Sequence, residues 1–436
     1  MKIVLFTPTI KMSAIGRMAC LVTHELLAQG HEVAVVRTED EAFLDKPTHD
    51  FGVELISRHD SDQIVSLANQ ADALIYQVGD NYPFHRGCLE WLPRLPGIVC
   101  LHDFFLAHLF YDWSQGRRQE ADMILRAWYG DEISRRFFSY QDGKTFIEGT
   151  RDTSPMTEWM CSMAHGVITH SSWGINRVLN ACPGPVYVAP LAYDAPENIA
   201  ANGCIHSSNN AQFRILTIGH INPNKRAASV IRAIGNSPLL RQRSTYRLVG
   251  NIRPETIHEL SALARNLGVN LVISGEVDDV TLAHAVEQAD VISCLRWPSL
   301  EAASASAIEA MLYGKPIVVT DTGFYRELPD ECVKKIDPNN EIDSLQSTLE
   351  QFFRDLELRH TLGIQGQQWA KSTFTPENYA RKLIDIADSV NKAKPMVAAA
   401  NYFVDVMNRW GATTNVINLE STMTPLHLFS ELRNSA

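Results

Sequence analysis

Apolar strand patterns alternate with helical patterns along almost the whole chain, and the alternation runs twice. Such an alternation is typical of a mostly parallel sheet covered by helices. Fully buried strands of this kind read as short, nearly continuous apolar segments. The predicted strands span 2–6, 32–37, 73–77, 97–101 and 166–169 in the first half, and 214–218, 246–249, 271–274, 290–294, 316–320 and 333–336 in the second.

The 436 residues are too many for one hydrophobic core, so two doubly wound, Rossmann-like domains are predicted. The first spans 1–190 and carries a helical insertion at about 104–163, where no strand pattern is found. A polar, irregular stretch from 190 to 210 is the predicted linker. The second domain spans 213–390. Ligands of doubly wound sheets lie at the carboxyl ends of the strands, so we expect a site in a cleft that both domains face.

Helical patterns dominate the end of the chain. Two long patterns, 341–371 and 376–393, are predicted to close the second domain. The last segment, 391–436, is predicted to be a helical tail that packs back on the N-terminal domain. Its helical pattern runs from Val397 to Trp410 and is followed by a polar end.

Composition excludes several classes of protein. The formal net charge of -11 argues against a nucleic-acid-binding protein, which needs a basic surface. No apolar run reaches the roughly 20 residues of a membrane span, and the N-terminus does not have the pattern of a signal peptide. The eight cysteines are scattered, without a Cys-x-x-Cys pair. They are typical of reduced core residues, and we expect a cytoplasmic protein.

The segment around residue 300 carries the strongest functional signal. Glu301 and Glu309 lie eight positions apart across a run of alanines and serines, before the predicted helix end at Gly314. A strand that leads small residues into a helix start leaves backbone N–H groups near Ala303–Ser306 open to an anion. Carboxylates beside such a site can accept paired hydrogen bonds from sugar hydroxyls. This combination predicts a nucleotide-sugar site.

A second candidate follows the first strand of the second half, in the segment Thr217 to Lys225. Lys225 is predicted to open a helix, where a cation opposes the helix macrodipole, and this position indicates an anion nearby. His220 lies at the end of the preceding strand, within reach of Lys225. The alternative for Lys225 is a surface lysine that extends off the first helical turn.

On these residues the chain resembles the retaining GT-B glycosyltransferases of glycosyltransferase family 4, most strongly over 213–390. Lys225 stands six residues after Gly219, where the family has its diphosphate-binding lysine, and Glu301 and Glu309 match the family's Glu-x7-Glu motif. His220 replaces the usual arginine, and alanines and serines replace the usual glycines between the two glutamates. The resemblance implies a cytoplasmic hexosyltransferase that retains the anomeric configuration.

The resemblance also assigns the donor site. It implies that Lys225, with His102 and Glu301, takes part in catalysis, that Glu301 faces the donor sugar, and that Glu309 faces the ribose hydroxyls. No metal or other cofactor is expected, because the diphosphate is neutralised by side chains and a helix N-terminus. The remaining residues expected to contact the nucleotide sugar are Gly16, His220, Glu276, Val277, Ala303, Ser304 and Ala305.

The N-terminal half resembles bacterial members that modify surface polysaccharides, through Gln77 to Asn81 with His85 and through Leu101 to Phe104. The family histidine that meets acceptor and donor sugar falls at His102. An acceptor site for a glycan or lipid-linked substrate is therefore predicted at Asp80, Asn81, His85 and Asp103. The alternative is that His102 bonds locally to Asp103 or caps a helix.

The segment 113–140 combines arginines with aromatic residues. It could touch a lipid-linked acceptor at the inner face of the membrane. Its acidic residues nearly balance the arginines, so a solvated helical pair is the alternative.

Two other functions remain open. One is a sugar-nucleotide 2-epimerase, which shares this architecture. The other is a non-catalytic partner subunit that binds a sugar nucleotide or a glycan.

Overall fold

A computed structural model describes residues 1–194 and 212–412. Most of the predicted linker and the polar end of the tail lie outside these residues. The chain divides into two compact units. Unit 1 holds Met1–Pro190 together with the described residues from Pro376 onward, and unit 2 holds Leu191–Thr375.

Unit 1 is built on a seven-stranded parallel sheet with the strand order β3-β2-β1-β4-β5-β6-β7. Leu5 pairs with Val35 on one side and with Ile75 on the other, and these residues are buried. The edge strands β3 and β7 are short. The strands are β1 (Lys2–Thr7), β2 (Glu32–Arg37), β3 (Leu55–Ile56), β4 (Ala73–Val78), β5 (Ile98–Leu101), β6 (Gly166–Thr169) and β7 (Val186–Val188).

Helices cover this sheet, and between β5 and β6 the described chain is helical, without a strand. The kink at Gly130, with φ 85° and ψ 170°, splits α5 into two helices. The helices are α1 (Ala14–Ala28), α2 (Ser61–Ala68), α3 (Tyr82–Trp91), α4 (Ala107–Trp113), α5 (Arg118–Arg136), α6 (Gly143–Thr150), α7 (Thr157–Ser162) and α8 (Ile175–Ala181).

Unit 2 is built on a six-stranded parallel sheet with the order β10-β9-β8-β11-β12-β13. This is the strand order of a Rossmann-like sheet, in which the order of the strands along the sheet reverses between β8 and β11 while all strands stay parallel. Its strands are β8 (Phe213–Ile218), β9 (Ser244–Val249), β10 (Leu271–Gly275), β11 (Val291–Cys294), β12 (Ile317–Thr320) and β13 (Lys334–Ile336). Its helices are α9 (Ala227–Asn236), α10 (Pro238–Arg243), α11 (Pro254–Leu267), α12 (Asp279–Gln288), α13 (Ala305–Leu312), α14 (Gly323–Glu327), α15 (Glu341–Arg354) and α16 (Leu356–Thr373).

The predicted fold class, two parallel-stranded Rossmann-like domains, is confirmed. Both sheets are parallel throughout, and the predicted strands agree with the observed ones to within two residues at each end. Among the strands of the described residues, only β3 and β7 were not predicted.

The last helix, α17 (Pro376–Arg409), differs from the prediction in two respects. It continues through Pro395, whereas a break near 393 was predicted. It also belongs to unit 1, whereas 376–390 was predicted to close the second domain. The physical reason is its buried face: Val390 packs against Gly166 at the start of β6, and the Lys382 ammonium donates to the Val188 carbonyl at 2.6 Å.

Candidate functional site

Three glycines line the carboxyl edge of the sheet in unit 2. Gly219, Gly250 and Gly275 lie at the ends of β8, β9 and β10 with φ of 87°, 131° and 69°. Their backbones are joined, since the Gly250 N–H donates to the Gly275 carbonyl at 2.7 Å. A Cβ at Gly250 would lie 2.2 Å from the Gly219 oxygen. The edge therefore needs glycine at Gly250, both for its positive φ and for this close approach.

Lys225 lies over this edge. It ends a 3₁₀ turn, Pro223–Lys225, that Asn222 caps, and Arg226 in the left-handed conformation separates it from α9. The prediction that Lys225 opens a helix is therefore wrong in detail, because α9 begins at Ala227. The side chain is buried, and its ammonium donates to the Ile218 carbonyl and would lie 2.7 Å from a Cβ at Gly219.

Burial, and then the nearby charge of Arg296, lower the pKa of Lys225 from 10.5 to about 7. Glu301 and Glu309 oppose this shift, so both predicted carboxylates are close enough to Lys225 to act on its pKa. Three predicted donor-site residues thus lie together in unit 2. The Lys225 amine therefore loses its proton readily near neutral pH, and a bound anion would stabilise its charged form.

The run of small residues between the two glutamates leads into α13. Ser304 is the N-cap residue, and its Oγ accepts from the Ala307 N–H at 3.4 Å. The N–H groups of Ala303, Ala305 and Ser306 donate to no partner in the described parts of the chain. These groups carry the partial positive charge of a helix N-terminus, which suits an anion.

Both glutamates are held by tyrosines that the sequence analysis did not single out. The Tyr325 hydroxyl donates to Glu301 Oε1 at 2.5 Å, and the Tyr193 hydroxyl donates to Glu309 Oε2 at 3.0 Å. Glu301 Oε1 also lies 3.1 Å from Nε of Arg296, a buried residue for which no role was predicted. The signal for Arg296 was its position directly after a buried strand.

The other predicted donor residues of unit 2 are more exposed. His220 is exposed, and partial burial followed by the charges of Lys225 and Arg253 lowers its pKa. Its imidazole is therefore mostly neutral at pH 7 and makes a weaker phosphate ligand than an arginine. Glu276 is exposed and Val277 half-buried; Glu276 Oε2 accepts from Asn251 Nδ2 at 3.5 Å.

In unit 1, Gly16 lies in the first turn of α1. A Cβ there would lie 2.6 Å from the Pro8 carbonyl oxygen, so glycine allows the helix to approach the loop after β1. Its N–H donates to Ser13 Oγ at 3.0 Å. Its neighbour Ile15 reaches Gly79, since a Cβ at Gly79 would lie 2.7 Å from Ile15 Cδ1. Gly16 therefore lies near the predicted acceptor residues of unit 1.

His102 belongs to a group of buried histidines at the carboxyl edge of unit 1. Its Nε2–H donates to Gln77 Oε1 at 2.6 Å, and its ring lies 4.7 Å from that of His170. The Nδ1–H of His85 donates to the Gln77 carbonyl at 2.9 Å. Burial lowers the pKa of His85 and of His170 to about 4, and that of His102 well below 6.5. The three rings are therefore neutral at pH 7, and Gln77 fixes the tautomer of His102.

Asp80 and Asp103 are joined, because the Asp80 N–H donates to Asp103 Oδ2 at 2.8 Å. Asn81, the N-cap residue of α3, is exposed. Asp80 also holds His108, a residue that the sequence analysis missed: the His108 Nδ1–H donates to Asp80 Oδ2 at 2.6 Å. Burial alone would lower the pKa of His108, but Asp80, with Asp112 and Asp103, raises it above 6.5.

Replacing Asp80 with asparagine is expected to lower the pKa of His108, because the carboxylate that stabilises the imidazolium is lost while burial remains. NMR titration of the histidine ring signals measures this shift. His165, which precedes β6 at the other end of the sheet, should keep its lowered pKa as an internal control. An unchanged His108 titration would contradict the Asp80–His108 bond.

The arginines of the segment 113–140 are mostly paired. Arg118 lies 3.5 Å from Asp122, Arg126 3.5 Å from Asp131, and Arg136 3.4 Å from Glu132. Most of its aromatic rings pack within the insertion, and Trp128 is the most exposed of them at 38%. This arrangement favours the solvated helical pair over a membrane-binding face.

Neither a metal-ligand cluster nor a membrane-spanning helix is found among the residues that the structure describes. Within them, no group of three or more His, Cys, Asp or Glu side chains could hold a metal ion. None of their helices is long and apolar enough to cross a membrane. That the donor site works without a metal remains a prediction.

The sequence of unit 2 matches a known family. Residues 204–369 match the model of the family described as glycosyl transferases group 1. This stretch includes Lys225, Arg296, Glu301 and Glu309. No curated protein sequence matches the chain.

The fold is similar to solved glycosyltransferase structures over nearly the whole chain. Anabaena HepE in complex with UDP is 18% identical with a TM-score of 0.59, covering 89% of this chain and 100% of that one. Sucrose-phosphate synthase from Thermosynechococcus elongatus is 15% identical with a TM-score of 0.61, covering 90% and 99%. WaaG, a glycosyltransferase involved in lipopolysaccharide biosynthesis, is 18% identical with a TM-score of 0.55, covering 89% and 99%. The matched group 1 domain and this shared fold together support a GT-B glycosyltransferase.

Proposed function

We propose that the protein transfers a sugar from a nucleotide diphosphate sugar to an acceptor hydroxyl, with retention of the anomeric configuration and without a metal. The observation that carries the proposal is the position of buried Lys225, which lies over the carboxyl edge of the sheet and close to Glu301 and Glu309. A buried cation at the carboxyl edge of a Rossmann-like sheet, near a helix N-terminus, suits the diphosphate of a nucleotide.

The chemistry follows from these positions. Lys225 and the N-terminus of α13 neutralise the charge that develops on the leaving diphosphate, so a metal is not required. Glu309 accepts from the ribose hydroxyls, and Glu301 accepts from the donor sugar. The departing phosphate oxygen takes the proton of the acceptor hydroxyl, as the family resemblance implies, so no separate carboxylate base is needed.

The structural neighbours suggest which nucleotide to test first. HepE was solved with UDP and also with UDP-glucose, so UDP sugars are the first donors to examine. For the acceptor we propose a glycan or a lipid-linked glycan of a bacterial surface polysaccharide, bound in the cytoplasm near Asp80, Asn81, His85 and Asp103. The chemistry of these side chains supports hydrogen bonds to sugar hydroxyls.

A binding screen followed by a turnover assay tests the function. Among UDP, GDP, ADP and dTDP, at least one is expected to raise the melting temperature, because a ligand that binds only the native state stabilises it. The sugar conjugates of that nucleotide are then assayed for release of the nucleoside diphosphate, with candidate acceptors and with EDTA. Turnover should persist in EDTA, and proton NMR of the product should show the donor's anomeric configuration.

The other outcomes identify the alternatives. Loss of turnover in EDTA that magnesium restores would contradict the metal-free site. Conversion of the nucleotide sugar to an isomer without an acceptor would indicate the 2-epimerase. Binding without turnover of any donor–acceptor pair would favour the non-catalytic subunit, and an inverted product would contradict retention.

A further inference from the structure

Arg296 directs its guanidinium to the N-terminus of α13. It follows β11 after one residue, and its backbone N–H donates to Thr320 Oγ1 at 3.1 Å, which fixes its position beside β12. The side chain is buried, with Nη1 donating to the Leu295 carbonyl at 2.9 Å and Nη2 lying 3.4 Å from Ser306 Oγ. Ser306 is in the first turn of α13, where the backbone N–H groups are open to an anion.

The charges around Arg296 are buried and lie close together. Arg296 and Lys225 are two buried cations, and after burial the charge of Arg296 is the main cause of the lowered pKa of Lys225. Glu301, which pairs with Arg296, and Glu309 oppose this shift but do not cancel it. A ligand with two or more negative charges would relieve the repulsion between the cations.

We propose that Arg296 is a second diphosphate-binding cation, which contacts the phosphates together with Lys225 and the N-terminus of α13. Through Nε it also holds Glu301 Oε1, so that Glu301 Oε2 is left for a donor-sugar hydroxyl. This inference rests on the proposed nucleotide diphosphate sugar donor. In this arrangement the second phosphate ligand is the buried Arg296 and not the exposed His220.

The test measures the dissociation constant of the nucleoside diphosphate that the screen selects, by calorimetry. Arg296→Gln alone would leave Glu301 without its cationic partner, and the unneutralised carboxylate would itself repel the phosphates. The decisive comparison is therefore Arg296→Gln/Glu301→Gln against Glu301→Gln. A weakening of about 10- to 100-fold is expected from losing a charge-assisted contact to phosphate. The nucleoside without phosphate should not distinguish the two proteins.

Arg359 supplies a matched control. It is in α16, is as buried as Arg296 and pairs with a carboxylate, Asp290, at 3.4 Å. Asp290 directly precedes β11, so this pair lies at the other end of the sheet. Arg359→Gln should lower the melting temperature while changing the diphosphate affinity by less than about twofold. Arg296→Lys, which keeps a charge but loses the planar fork, should give an intermediate affinity and serves if the glutamine variant does not fold.

The outcomes separate this inference from the proposed function. If the wild type binds no nucleoside diphosphate, the proposed function itself fails. If Lys225→Ala weakens binding but the Arg296 variants behave like Arg359→Gln, the function stands and Arg296 has only a structural role. An equal loss of affinity for the bare nucleoside would also overturn the inference, because it would locate the effect away from the phosphates.

Discussion

Replacing Lys225 with alanine is expected to weaken binding of the nucleoside diphosphate by roughly 10- to 150-fold, because a charge-assisted bond to phosphate contributes about 1.5–3 kcal/mol. Turnover should fall as well, since the same ammonium stabilises the leaving diphosphate. Calorimetry of the folded variant gives the affinity. An unchanged affinity would remove Lys225 from the phosphate site.

Lys315 is the matched control for this substitution. It is as buried as Lys225, and its ammonium also donates to a backbone carbonyl, that of Glu287, at 2.6 Å. Lys315→Ala should therefore reproduce the structural cost of removing a buried lysine without the loss of nucleotide affinity. If both variants lose affinity equally, the effect of Lys225→Ala is structural.

The lowered pKa of Lys225 adds a dependence on pH. A bound diphosphate favours the ammonium form, so binding should take up a proton near pH 7, and affinity should fall as the pH rises above about 7. The fall should disappear in Lys225→Ala. Calorimetry in buffers with different ionisation enthalpies detects the proton uptake. In the ligand-free protein the unfolded state binds more protons between about pH 7 and 10.5, so this group's contribution to the free energy of unfolding rises with pH there.

The sequence was sufficient to predict the fold because buried parallel strands have a strong local signature. Each central strand is an apolar run followed by a polar or glycine-containing turn, and no partner needs to be known to recognise it. The strands that were missed, β3 and β7, are two and three residues long and lie at sheet edges. Segments that short carry too little periodicity to separate them from loops.

The position of α17 could not be predicted from local pattern. Its helical pattern would fit either unit. Only contacts with residues far away in the chain, such as Gly166 and Val188, assign it to unit 1. Pro395 removes one backbone hydrogen bond and its ring crowds the preceding turn, yet the helix continues through it. Tertiary packing decides both questions.

The same distinction applies to the candidate site. Lys225, Glu301 and Glu309 were found because local spacing and flanking strands mark them within two short segments. Tyr193 was not found, because it meets Glu309 from 116 positions away. Arg296 lies five residues before Glu301 in the sequence, but its side-chain direction, towards Ser306, could be seen only in the structure.

The two glutamates are expected to respond differently to replacement by alanine. Glu309→Ala should weaken the binding of the nucleoside diphosphate and of the intact donor alike, by about 10-fold or more, because the ribose is common to both ligands. Glu301→Ala should weaken mainly the binding of the intact donor, because the proposed partner of Glu301 is the sugar. Affinities for the two ligands, measured by calorimetry on the same variants, separate these roles.

The bonds of Glu301 sharpen this prediction. Glu301 holds Arg296 by an ion pair, and its removal leaves that guanidinium free to bind phosphate more closely. Glu301→Ala should therefore leave the affinity for the bare nucleoside diphosphate unchanged or raise it, while the donor still loses its sugar contact. Tyr325→Phe, which removes only the hydroxyl bond to Glu301, is the mild control. If Glu301→Ala and Glu309→Ala weaken the bare nucleotide equally, the division of roles is wrong, and Glu301 serves the phosphate site through Arg296 and not the sugar.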